Sequence, residues 1–427
     1  MTRKTLIFLV FTLLCMTQMG CHDFSYQGLH DVVTEDEDNN PQKVIMFIGT
    51  STNIQYLEPN GTGKDDSTKG TGVIGSVEGF TDKSFNIYAF LSRTQTSTYE
   101  LSAKEDSLLC LIDGSLDDPE SIMGREAMWN PESNLIDWKE NAKPVFYPTG
   151  EALGLTYDFF AYYVDDMELK NEDFHRTQNS VEVDIEIDGS QDIMSAVAVA
   201  AEDELWFGTE DSREYAYRKE CTYSYYTAQL GIHPRFIFKH HLTKLDFRIL
   251  PGVTLGLNKE IKVEKIEVRS KNKGKFVVAH KNHNHVGNNM GVFFKGEKTN
   301  LALKEGDGSV FQPRTMITGS NQVSGTEIND LSSLLVAPDT EYSLFVTLSE
   351  FRDGRQVAYS VRNEMTIYLG NGNDLDAPGF EAGNEYLITL TIHGSMDVEV
   401  NTELIQWRDS GDVEYDADEE LRPGKKH

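Results

Sequence analysis

The run His280-Lys-Asn-His283-Asn-His285 sets two imidazoles two residues apart, so in an extended chain His283 and His285 point to the same side. Two histidines need that geometry to share a metal ion. No carboxylate or cysteine stands beside them at ligand spacing, and Lys281 and the asparagines give the stretch the character of a polar hairpin loop. Asp113-Gly-Ser-Leu-Asp-Asp118 gathers carboxylates in a short segment, but lacks the alternating Asp order and distal Glu of a calcium loop and reads as a turn. Of the neighbours His240 and His241, at a strand start, one should face the core and one the solvent. The nucleophile-elbow, zinc-protease and phosphate-loop motifs are absent. No nucleophile stands with an oriented base, so neither an enzyme nor a cofactor is expected.

Cys21 carries another chemistry. Arg3 and Lys4 precede an apolar run from Leu6 to Met16, and Gly20 stands directly before Cys21. A charged start, an apolar stretch and a small residue form the layout of an export signal. The run is short of the ~20 apolar residues a membrane span needs. It resembles a bacterial lipoprotein signal, in which Cys21 takes a lipid and becomes the new N-terminus. Gln18 stands where such signals usually carry Leu, and an ordinary signal peptide cut nearby is the other reading. Residues 1–20 are then a targeting segment. The remaining pair, Cys110 and Cys221, can bridge in an oxidising compartment or stay as two buried thiols. The formal net charge is −30, a surface that repels phosphate backbones and anionic head groups, so nucleic-acid binding is not expected. A lipid on Cys21 would anchor such a chain at an outer membrane.

The elements that must hold these residues are strands. Residues 21–42 are polar and acidic, a tether. Lys43-Val-Ile-Met-Phe-Ile-Gly49 is the first strand-like run, with Val44, Ile45, Met46, Phe47 and Ile48 at its centre. A turn-rich stretch follows at 58–79 and carries Lys64 and Lys69. Phe85, Ile87, Ala89 and Leu91 alternate along the next run, and 156–163 is dominated by strand-forming aromatics. Residues 180–187 alternate most strictly, with Val181, Val183, Ile185 and Ile187 inward and Glu182, Asp184 and Glu186 outward. Residues 242–250, 261–268, 341–348 and 386–392 repeat the style, and Val398 and Val400 open a last run that leads to Trp407. An acidic tail follows at 409–427, where Val413 and Tyr415 alternate with carboxylates. Helical periodicity is weak. Many short strands between turn signals predict an all-β protein of β-sandwiches, 43–234 and 235–408, parted at Gly231-Ile-His-Pro234.

Several of these segments resemble the fimbrillins, the pilus subunits of Bacteroidia. They are Tyr147-Pro148 with the aromatic run ending Phe160-Ala-Tyr-Tyr163, Ile187-Asp-Gly-Ser-Gln-Asp-Ile-Met, Phe238-Lys-His-His-Leu-Thr-Lys-Leu245, and 387–407 with its acidic tail. The resemblance implies two transthyretin-like β-sandwich domains in tandem, made as a surface lipoprotein. It implies proteolytic removal of the first strand, 44–48, and its replacement by a strand of the next subunit. The donor would be the C-terminal stretch with Val398, Val400, Val413 and Tyr415. The partners would be other fimbrillin subunits head to tail, with a host or bacterial surface as adhesion ligand. Some relatives are cut after an arginine beyond the first strand. Here no arginine lies between Arg3 and Arg93, so Lys64 or Lys69 would suit an enzyme of lysine specificity; otherwise the subunit is cut elsewhere or not at all, and an uncut subunit would suit a terminal or anchoring role. A surface lipoprotein that binds glycan through Trp129, Trp138 or Trp206 without polymerising is the alternative, and a hydrolase with an unrecognised site is the second.

Overall fold

The computed structural model describes residues 42–48, 78–92, 110–139, 142–149, 155–165, 167–198, 223–229, 231–252, 259–281, 289–317, 327–369 and 379–405. The expectations for Cys21, Lys64, Lys69, Trp206, Cys221, His283, His285, Trp407, Val413 and Tyr415 lie outside them. The protein is all-β, and the one α-helix among the described residues is Tyr225–Gln229. The first half supplies β1 (Phe47–Ile48), β2 (Ser84–Leu91), β3 (Cys110–Ile112), β4 (Arg125–Asn130), β5 (Leu135–Trp138), β6 (Thr156–Val164), β7 (Phe174–Arg176), β8 (Ser180–Glu186), β9 (Ile193–Val197), β10 (Tyr223–Ser224), β11 (Arg235–Phe236) and β12 (Lys239–His240). The second half supplies β13 (Thr243–Pro251), β14 (Lys259–His280), β15 (Gly291–Ala302), β16 (Arg314–Ile317), β17 (Leu334–Val336), β18 (Tyr342–Arg352), β19 (Arg355–Ile367), β20 (Glu385–Gly394) and β21 (Asp397–Ile405).

These strands form three sheets. The first runs β11-β1-β5-β4-β2-β6-β9-β12, with β3 on β2 and β10 on β6. The second runs β19-β18-β14-β8-β7 and carries β15 and β16 on β14, and the third runs β17-β13-β20-β21. Strand β6 is central, so its aromatics are buried on both faces: Tyr157, Phe159, Phe160, Tyr162 and Tyr163 are all in the core. Strand β8 has one wet face, so it alternates: Val181, Val183 and Ile185 are buried, and Asp184 and Glu186 are exposed.

Strand β14 unites the molecule. Its 22 residues pair with β18 through Lys259 to Arg269 and with β8 through Lys273 to His280. Near its C-terminal end it meets the first sheet, where Tyr162 approaches Phe276 edge-on at 6.0 Å. At mid-strand it meets the third, where the Ala337 N–H donates to Ser270 Oγ at 3.1 Å. Strands β11 and β12, which follow residue 234, belong to the first sheet, and buried residues of all three sheets join in one hydrophobic cluster. Pairing across such sequence distances is set by the packing of faces, which local composition does not record.

The chain turns from the first sheet into the third at His240 and His241. His240 Nδ1 lies 3.0 Å from an oxygen of the fully buried Asp192, and His241 Nε2 lies 2.7 Å from Ser195 Oγ. Gly291, in the left-handed region at φ +106°, lets its backbone press on the His241 ring, since a Cβ there would lie 2.8 Å from Nδ1. Both histidines are therefore packed, which is the default for histidines at a strand start.

Candidate functional site

The segment 42–48 is held on both sides, although only Phe47 and Ile48 form a regular strand. Toward one neighbour, Lys43 bridges Phe146, the Val44 N–H donates to Val145 O at 2.9 Å, and the Tyr147 N–H donates to Gln42 O at 3.0 Å. Further along, the Ile136 N–H donates to Met46 O at 2.9 Å. Toward the other neighbour, the Phe47 N–H donates to Pro234 O at 2.9 Å, and Phe47 and Ile48 run parallel to Arg235 and Phe236. The segment thus lies between β5 and β11 as an interior strand.

Its side chains follow the period of two. Val44, Met46 and Ile48 are 3%, 1% and 4% exposed and belong to the core, whereas Ile45 and Phe47 are only partly covered. The Phe47 ring lies 5.9 Å from His233, with the Arg235 guanidinium 5.7 Å from its centre. Burying three such side chains stabilises the fold by roughly 5–9 kcal/mol at ~1.5–3 kcal/mol each. That approaches the whole stability of a typical domain, about 5–15 kcal/mol. Without this segment, Val145 O, Pro234 O, Ile136 N–H and Tyr147 N–H lose their partners along an apolar slot. Truncating Met46→Ala is expected to destabilise the protein by about 2–5 kcal/mol, read as a lower denaturation midpoint at unchanged slope. Ile45→Ala, at a partly covered position, should cost markedly less.

The candidate donor positions divide. Val398 and Val400 are engaged in β21, opposite Ile392 and Leu390 of β20, and are partly buried against the core. Strand β21 is the edge of the third sheet.

The turn at 113–118 spends its carboxylates internally. Asp113 accepts from Arg176 at 2.8 Å and from the Ser115 N–H at 3.0 Å. Asp117 is held by Arg125 through two bonds of 2.8 Å, and Asp118 accepts the Glu120 N–H at 3.1 Å. Asp113 and Arg176 are each about 4% exposed and join the first sheet to β7, so this turn is a clamp between sheets. Cys110 beside it carries a free thiol. Burial, then the Asp113 carboxylate, pushes that thiol far above its ordinary range. Thiolate is the reactive form. Cys110 should therefore resist iodoacetamide in native buffer at pH 8 and react promptly once denatured, followed by mass spectrometry.

Neither of the two described tryptophans offers an open platform. Trp129 is 9% exposed and donates from Nε1 to Asn134 Oδ1 at 3.1 Å, while Trp138 is partly buried with Arg125 stacked 4.5 Å from its ring centre. A groove beside them is lined by Asn86, Asp117, Ser121, Glu126, Lys139 and Lys143. Of these, Asp117 is paired to Arg125 and Glu126 to Lys139, so its charges are largely answered in place. Loss of the segment 42–48 would leave a two-sided seat over an apolar floor.

No family model and no curated protein matches the chain. Among solved structures its neighbours are fimbrial and cell adhesion proteins of Bacteroidia. A fimbrial protein from Bacteroides vulgatus is 14% identical, with 80% of this chain and 99% of that one covered and a TM-score of 0.41. A protein from Bacteroides uniformis, named provisionally as a cell adhesion protein, is 15% identical over 88% and 100% of the two chains, with a TM-score of 0.40. The fimbrial anchor protein Mfa2 from Porphyromonas gingivalis is 13% identical over 86% and 98%, with a TM-score of 0.28. At this level of overlap no residue role transfers from them.

Proposed function

We propose that this chain is a non-enzymatic surface adhesion subunit of fimbrial type. In this reading it is exported, held at the outer membrane by a lipid on Cys21, and built as two transthyretin-like sandwiches that share β14. Cleavage in the stretch with Lys64 and Lys69 frees the segment 42–48, and a strand from another copy takes its seat. The single observation that carries the reading is the interior position of that segment: short, apolar, buried on alternate residues, and hydrogen-bonded on both sides. A sheet that loses an interior strand exposes two unpaired edges over an apolar floor. A donated strand restores the main-chain bonds, and its alternating side chains refill the floor. Contacts of this head-to-tail kind do not close on themselves, so they propagate as a filament. The free donor is the tail with Val413 and Tyr415, since Val398 and Val400 would first have to leave β20.

The test is to place a specific protease site at Lys64 in the purified protein, cleave it, and follow size by light scattering. Growth into polymers after the clip, with the fragment carrying 42–48 released, is the expected result. A clipped protein that stays monomeric with that fragment lost would remove the basis of the proposal.

A further inference from the structure

The net charge of −30 hides one basic element. Strands β14 and β15 together carry nine Lys or Arg against four Glu. On their outer face Lys271 stands directly opposite Lys298, and Lys273 directly opposite Lys295. Like charges facing each other across a ladder destabilise a pair of strands by roughly 0.2–1 kcal/mol each. Neighbouring acids answer part of this. Glu186 lies 3.2 Å from Lys273, Asp184 lies 3.6 Å from Lys295, and Asp339 lies 2.8 Å from Lys298. Among the described residues Lys271 has no such carboxylate. Among the described residues, strand β15 pairs with β14 alone, so its other edge is open there. The edge is long, its residues 295–300 are exposed, and Phe293 is 47% exposed beside the lysines.

The chain itself supplies a matching segment. Residues 409–420 hold seven Asp or Glu and no Lys or Arg, and they alternate as Asp412-Val413-Glu414-Tyr415-Asp416. The last described strand is linked to the basic face through a series of contacts. Leu404 stands opposite Tyr386, whose ring lies 4.8 Å from Phe380. Phe380 and Asp339 exchange backbone hydrogen bonds of 3.2 and 2.7 Å, and Asp339 holds Lys298. At ~3.3 Å per extended residue, residues 406–408 reach about 10 Å beyond Ile405, and 409–420 span about 40 Å more. A free polyanion would have to approach against the overall negative charge, whereas a tethered segment faces an effective concentration on the order of millimolar.

We propose that residues 409–420 add in cis as a further strand on the outer edge of β15. Asp412, Glu414 and Asp416 lie over Lys271, Lys273, Lys295 and Lys298, and Val413 and Tyr415 turn to the opposite face. This docking does not depend on strand exchange between copies. It would hold the tail in place before any partner takes it, and keep an open edge from pairing at random.

The test is zero-length carbodiimide cross-linking of the full chain at low micromolar concentration, with peptide mapping. The Lys275–Glu182 pair, at 2.6 Å, is the internal positive control. Cross-links from the four lysines to carboxylates of 409–420 are expected, falling about fivefold or more in 1 M salt, where screening acts within ~3 Å. In an equal mixture of 15N-labelled and unlabelled protein they should join peptides of one isotope only. The double variant K271E/K295E should lose them while keeping the control. Control cross-links without tail cross-links would overturn the proposal, and links joining two isotopes would replace it with docking between copies.

Discussion

Replacing Lys244 with Met is expected to cost the protein about 3–5 kcal/mol, among the largest losses any single substitution here should produce. Lys244 on β13 and Glu385 on β20 stand in register in a parallel pair, with Nζ 3.2 Å from the carboxylate. Their side chains are 2% and 3% exposed, so neither charge can turn to water when its partner is removed. The loss is mostly the penalty of a stranded buried Glu385 carboxylate, not the worth of the attraction. The double variant K244M/E385L should therefore recover most of the stability. Urea denaturation of the wild type, both single variants and the double variant tests this as a cycle. Additive losses in the double variant would mean that the two charges are independently solvated and that the pair is not buried as a unit.

The second large effect is a loss of stability in mild acid. Burial, reinforced by the neighbouring His240, pushes the His241 imidazole down to about 4. An unfolded histidine titrates near ~6.5. Between those values the unfolded chain binds a proton that the folded one refuses, so stability falls as pH drops from 6.5 toward 4 and flattens below. The loss from pH 7.5 to 5 should be about 2 kcal/mol. Glu182, Asp184, Asp188 and Glu350 are held below their ordinary values, so their contributions fade only at still lower pH. Denaturant midpoints measured at steps between pH 7.5 and 5 should show the slope, and His241→Gln should flatten it. An unchanged slope in that variant would assign the acid sensitivity to other groups.

The first effect arises between two strands far apart in sequence and the second where the first sheet hands over to the third, and there the sequence is least legible. The alternation of Val181, Val183 and Ile185 with Glu182, Asp184 and Glu186 gave β8 its faces, and the aromatic run 156–163 marked β6 as a strand. The strand-like character of 43–49 was also readable, because β-branched and bulky residues stand there without turn formers. Less was visible in the second half of β14, where Arg-Ser-Lys-Asn-Lys-Gly-Lys at 269–275 has the composition of a turn. It is nonetheless extended, because β8 and β15 clasp it from both edges.

Local sequence determined that this protein is all-β and which side of each strand would be dry, since a period of two needs only neighbouring residues to be read. It also set the acidic balance of the chain and the basic exception in β14 and β15. Tertiary structure alone decided that 44–48 sits between β5 and β11, that Lys244 meets Glu385, and that β14 joins β8 of the first half to β18 of the second. Strand partners are chosen by the fit of whole faces across long loops, and no residue carries a local mark of the one it will meet.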